Sequence, residues 1–196
     1  GLRTGAAADL ELKDGEIQNT TWTPGWRGTG DEVTLESLAT PAGWREALFQ
    51  RAAAMADTWG RGEVLTNLGS AAAQNLGGSY DMSGVIDLRP SLLRPLNRAA
   101  FLQASGQPVD RDTALAAFSA LEIVQHEIGH GVNPISLGDY NGWRKTLLEA
   151  VQEETAPTLA IEWAKELGLT SILGHVQNEV GYEPVNPYIA GSYLAY

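Results

Sequence analysis

LEIVQHEIGHGVNP, residues 121–134, decides how the rest of the chain is read. The chain holds three histidines, and two of them, His126 and His130, stand four residues apart here, with Glu127 directly after the first. Leu121, Val124 (or Ile123) and Ile128 continue an apolar stripe that starts at Leu115 and Phe118, the spacing of a helix with one buried face. Residues i and i+4 of a helix lie one above the other. The two imidazoles can therefore aim at one point, as zinc requires with nitrogen ligands at about 2.0–2.1 Å. Glu127 is turned about 100° round the helix. It is badly placed to ligate, yet well placed over the metal's open side to accept a proton from water there.

Such a centre needs a third ligand. A histidine six residues after His130, with glycine three after, would mark the elongated zinc motif, but Ser136 and Asn133 occupy those positions. Two candidates are left. Asp139 lies in the connection "LGDYNG". Glu149 lies on the next expected helix, "NGWRKTLLEAVQEETAPTLAIEWAKELG", with Glu153 one turn further on. Leu148, Val151, Thr155 and Leu159 suggest an inward face there, whereas Glu154 reads as solvated. One carboxylate can ligate while its neighbour supports a ligating histidine, because a metal-bound imidazole normally gives its other N–H to a carboxylate or carbonyl.

Outward from this pair of helices the signals are more ordinary. Asp110, Asp112 and Thr113 offer caps for the first helix, and Gly129 and Gly131 an exit. Asp139 or Asn141 can cap the second, Gly168 can close it, and Pro157 should kink or divide it near Thr155. An earlier helix starts at the cap Thr40 with Pro41 in its first turn and Gly60 beyond its end. Trp44, Leu48, Ala52 and Met55 form its core face. Ser83–Leu88 reads as a short, partly buried strand. "SLLRPLNRAAFLQ" reads as a short helix kinked or started at Pro95. Residues 1–38, with Pro24, Gly25, Gly28 and Gly30, read as irregular.

Composition bounds the function. The chain has 196 residues, 43% of them hydrophobic and 19% charged, which fits one globular domain. Its formal charge of -11, with no basic cluster, argues against nucleic acid as a partner. No apolar run is long enough for a membrane span. There is no cysteine. That excludes disulfides and cysteine-based structural zinc, so any bound zinc is expected to do chemistry. The compartment cannot be read; a start at Gly1 suggests a piece secreted or released from a larger bacterial protein.

"HEIGH" followed by Glu149-Ala150-Val151-Gln152-Glu153 resembles the glutamate zincins, of which the thermolysin-like peptidases are best known. The likeness covers about residues 111–160, and the 18 residues between His130 and Glu149 are close to the family's separation. It implies that Glu149 is the third zinc ligand, that Glu153 hydrogen-bonds a zinc-bound histidine, and that the Ser83–Leu88 strand is an edge strand that pairs with an extended peptide. Leu148 stands where the family has asparagine, and the family's downstream segment, with its transition-state histidine, is not recognisable. His175 or Tyr182 is then expected to steady the oxyanion. Asp139 in "GDY" is faintly similar to the ligand of the aspartate zincins.

The expectation is an α+β, zincin-like fold over residues 39–196: a small twisted sheet whose edge strand lies over the active-site helix, backed by a second ligand-bearing helix. The expected function is zinc-dependent endopeptidase, with His126, His130 and Glu149 on Zn2+, Glu127 as general base, and peptide or protein as substrate. A pro-segment in residues 1–38 that occupies the cleft is a further expectation. The alternatives are a catalytically silent zincin-fold binding or structural module of a larger protein, and an aspartate-zincin peptidase with Asp139 as third ligand.

Overall fold

The structure is a computed structural model and describes residues 28–58, 65–68, 78–80, 85–88, 90–132 and 143–179. In chain order these form α1 (Leu35–Leu38), α2 (Pro41–Thr58), β1 (Leu65–Leu68), β2 (Gly78–Tyr80), β3 (Val85–Leu88), α3 (Pro90–Ala104), α4 (Arg111–Val132), α5 (Trp143–Glu166) and α6 (Thr170–Glu179). Helices dominate, and the strands are only four, three and four residues long. The expected α+β fold is corrected accordingly: the described body is a helical assembly and not one organised on a sheet. Among the residues whose burial is described, the core cluster is drawn from α1 to α6 and from Val109 just before α4.

The strand expectation needs a second correction. Val85–Leu88 is a strand, but an inner one. It pairs in parallel with β1 (Leu65 opposite Val85) and antiparallel with β2 (Gly78 opposite Leu88), giving the order β1-β3-β2. Both of its edges are used, so it cannot be the edge strand that receives a peptide.

Helix α4 is the hub and packs against α2, α3, α5, α6, β2 and β3. Its start is fixed by Asp110, whose carboxylate accepts from the Thr113 backbone N–H at 2.9 Å and from the Thr113 hydroxyl at 2.7 Å. The same bonds hold the Asp110 pKa below its ordinary value. Ala114, Ala117, Phe118, Ala120, Leu121, Val124 and Ile128 of α4 are buried. Small alanines on several sides let neighbouring helices approach closely.

Around the hub, the α2 stripe behaves as its spacing predicts: Trp44, Leu48, Ala52 and Met55 are all buried. Thr40 caps this helix through the Gly43 N–H. Trp44 meets Trp163 of α5 edge-on, with centroids 6.0 Å apart and planes at 88°, the arrangement that the ring quadrupoles favour. Arg51 ties α2 to two other helices. Its guanidinium donates to Gln125 Oε1 on α4, and to Glu166 and the Leu159 carbonyl on α5.

Proline placement departs from expectation. α3 starts at Pro90 and runs through Pro95, and α5 runs through Pro157 as one helix. Tertiary packing overrides the lost backbone donor: Leu93, Leu96, Ala156 and Ala160, on either side of the two prolines, are buried. Gly168 ends α5 as expected, at φ +72°, with its N–H on the Lys165 carbonyl and Leu169 N–H on the Ala164 carbonyl. Of the expected irregular segment 1–38, residues 28–38 are described. They hold α1, closed by a Thr34/Ser37 capping box, with Leu38 fully buried. The expected pro-segment otherwise lies outside the described residues, as do the caps Asp139 and Asn141. No helix among the described residues is long and apolar enough to cross a membrane.

Candidate metal centre

The C-terminal half of α4 carries the polar groups that the hub buries. Glu127 and His130 are 8% and 7% exposed. Burying such groups is costly unless they are paired or bind a cation. The i, i+4 spacing puts His126 and His130 on one face, with rings 4.6 Å apart and steeply inclined. α5 runs alongside and presents Glu149 to the pair.

Three atoms converge. His126 Nε2 is 2.9 Å from His130 Nε2, and Glu149 Oε2 is 3.1 Å from the first and 3.2 Å from the second. Hydrogen bonds can join these atoms only in pairs. A cation at the centre satisfies all three lone pairs at once. For tetrahedral zinc with bonds of about 2.0–2.1 Å, the ligand atoms would stand about 3.3 Å apart, close to the distances seen. Two imidazoles and one carboxylate are also the donor set of catalytic zinc sites. The residues present therefore fit the ion.

Glu153 follows Glu149 by one helical turn, and its Oε1 lies 3.5 Å from His126 Nδ1, the ring nitrogen turned away from the triangle. Burial disfavours charge on His126. The hydrogen bond to Glu149 and the nearby carboxylates of Glu127, Glu149 and Glu153 outweigh it, so the pKa lies above the ordinary histidine value. For Glu127, burial pushes the pKa up while His126 and His130 pull it down, and the net direction is up. A carboxylate made more basic than usual beside the histidine pair suits proton acceptance.

One neighbour was not anticipated from the sequence. Glu122, one turn before His126 on α4, has its pKa pushed up to about 7 by burial and by the charge of Glu153. It sits at the same i, i+4 interval as the histidines, and that spacing was the one sequence signal for it.

The structure does not bring His175 to this site. Its Nε2 donates to the Val109 carbonyl at 2.8 Å, before the first residue of α4. His126 lies 15 residues into α4 from Arg111, about 22 Å along its axis at 1.5 Å per residue. The expected oxyanion role of His175 is corrected on that ground. Tyr182 and Asp139 lie outside the described residues. Among the described residues, His126, His130 and Glu149 form the only group with ligand atoms close enough to hold a metal ion.

No protein-family model, no curated protein and no solved structure matches the chain. The likeness to the glutamate zincins thus rests on the motif pair alone.

Proposed function

We propose that the chain is a zinc-dependent peptidase whose centre is His126, His130 and Glu149, with Glu127 as general base. The observation that carries this reading is the triangle of two imidazole nitrogens and one carboxylate oxygen, a donor set whose mutual distances suit a cation at its centre. When bound, zinc supplies Lewis acidity, making a water acidic near neutral pH and polarising a carbonyl oxygen. Glu127 takes the proton of the attacking water on its carboxylate and returns it to the leaving nitrogen. Its burial keeps that carboxylate from being levelled by solvent. Glu153 orients the His126 ring through Nδ1. Peptide bonds are assigned as the substrate from the likeness of the paired motifs.

The test is zinc content per chain and hydrolysis of a mixed peptide library, for the native chain and for Glu127→Gln. The variant should keep about one zinc per chain, as a three-ligand site holds. It should lose turnover by about 100-fold or more, as expected for removal of a general base. Full activity in Glu127→Gln would end the reading. A native chain that binds zinc yet cleaves nothing in the library would favour the catalytically silent module.

A further inference from the structure

The third ligand comes from a different helix, so the spacing of α4 and α5 decides whether it reaches the histidines. Within their contact stands Gly129, between Ile128 and the ligand His130. A methyl group added there would fall 1.7 Å from Gln152 Oε1 and 2.7 Å from Gln152 Cδ. Gln152 lies one turn beyond Glu149 on α5 and is 4% exposed, so its amide fills the space that any larger residue at 129 would need. The contact is within one helical turn of all three candidate ligands.

We infer that Gly129 and Gln152 form a size-matched spacer that holds Glu149 in reach of the histidine pair, and so act as positioning residues for the metal centre. The inference rests on the proposed zinc reading. Removing the spacer's fit pushes α5 away or forces the Gln152 amide to swing. Gln152 is 4% exposed, so an amide that swings aside must find room among buried neighbours. A ligand oxygen displaced by a few tenths of an ångström leaves an incomplete set. Glycine is needed here for close approach and not for backbone conformation, since α4 is helical through this point.

The experiment uses the full chain in four forms: native, Gly129→Ala, Gln152→Ser and the double variant. Zinc affinity is read by competition with a chromophoric chelator, and thermal melts are run on the metal-free forms. Gly129→Ala should weaken zinc about tenfold or more, the scale seen when groups supporting metal ligands are altered. The double variant should recover to within about threefold of native, because serine vacates the space the methyl needs; a non-additive cycle of this kind isolates a direct contact. Gln152→Ser alone should weaken zinc by a few fold, and it reads the same contact if Gly129→Ala fails to fold. Unchanged affinity in Gly129→Ala or in Gln152→Ser overturns the inference, as does a double variant no better than Gly129→Ala. Coupling in the melts without coupling in zinc affinity would reduce the pair to a packing contact and also overturn it. If the native chain binds no zinc, the metal reading fails, and the positioning role falls with it. The metal-free melts then report separately whether the spacer itself exists.

Discussion

Glu153 Oε1 stands 3.5 Å from His126 Nδ1, on the side of the imidazole opposite the Glu149 contact. The ring is held between two carboxylates one turn apart on α5. Glu153 is half exposed and the contact is long, so in the proposed zinc centre it would orient the ring and not ligate. Glu153→Ala should weaken zinc about tenfold, the low end for outer partners of a metal histidine, with the fold intact. Chelator competition checks this. Complete loss of zinc would mean that Glu153 itself ligates.

His175 has a structural part to play. Its Nε2–H satisfies the Val109 carbonyl and ties α6 to the segment that starts α4. His175→Ala should leave zinc affinity and peptide turnover near native. It should lower stability by about 1 kcal/mol, the usual net worth of such a bond. Urea denaturation and steady-state kinetics together decide it. A large fall in turnover with stability unchanged would return His175 to the chemistry.

Glu122 makes stability pH-dependent. Its folded-state pKa of about 7 lies above the ordinary 4.5, so the folded chain binds this proton more tightly than the unfolded chain. The resulting stability is fully present below about pH 4.5 and is lost as pH rises to about 7. Glu122→Gln cannot ionise. In metal-free protein its melting temperature should therefore gain on the native chain between pH 5 and pH 8, by a few degrees at most because the group is partly solvated. A melting difference flat across that range would show that Glu122 is not strained.

Arg51 serves three acceptors on two helices and is only 10% exposed. Arg51→Ala should cost about 2 kcal/mol, since it leaves buried Gln125 without its donor. For a chain of this size that lowers the melting temperature by roughly 4–8 °C. Arg51→Lys should recover only part, because a point ammonium cannot span the same acceptors. Glu166→Ala, at the exposed end of the pair, should change stability by under about 0.5 kcal/mol. Equal effects of Arg51→Ala and Glu166→Ala would place the stabilisation in the ion pair instead.

The helical half of the fold was legible because its signals are local. The stripe Trp44, Leu48, Ala52 and Met55, the cap Asp110 and the stop Gly168 each follow from spacing or side-chain chemistry within one or two turns. Pro95 and Pro157 misled because burial of their neighbours outweighs a local backbone penalty. Val85–Leu88 could be read as a strand, but nothing within it says that β1 and β2 take both of its edges. Glu122 was passed over because its shift comes from burial and from Glu153, 31 positions away in the chain.

The sequence by itself determined that His126 and His130 share a face, because helical periodicity fixes i and i+4 whatever surrounds them. It also determined that Glu127 sits beside them and that no cysteine can compete for a metal. Only the tertiary structure decided that Glu149 arrives at 3.1–3.2 Å from both imidazoles, with Glu153 behind His126. That depends on how closely α5 lies against α4, which Gly129 and Gln152 set across 23 positions of chain. It also decided that His175, on α6, stays beside the start of α4, away from the histidine pair. Distances between helices come from packing of whole side-chain surfaces, and no spacing within one segment encodes them.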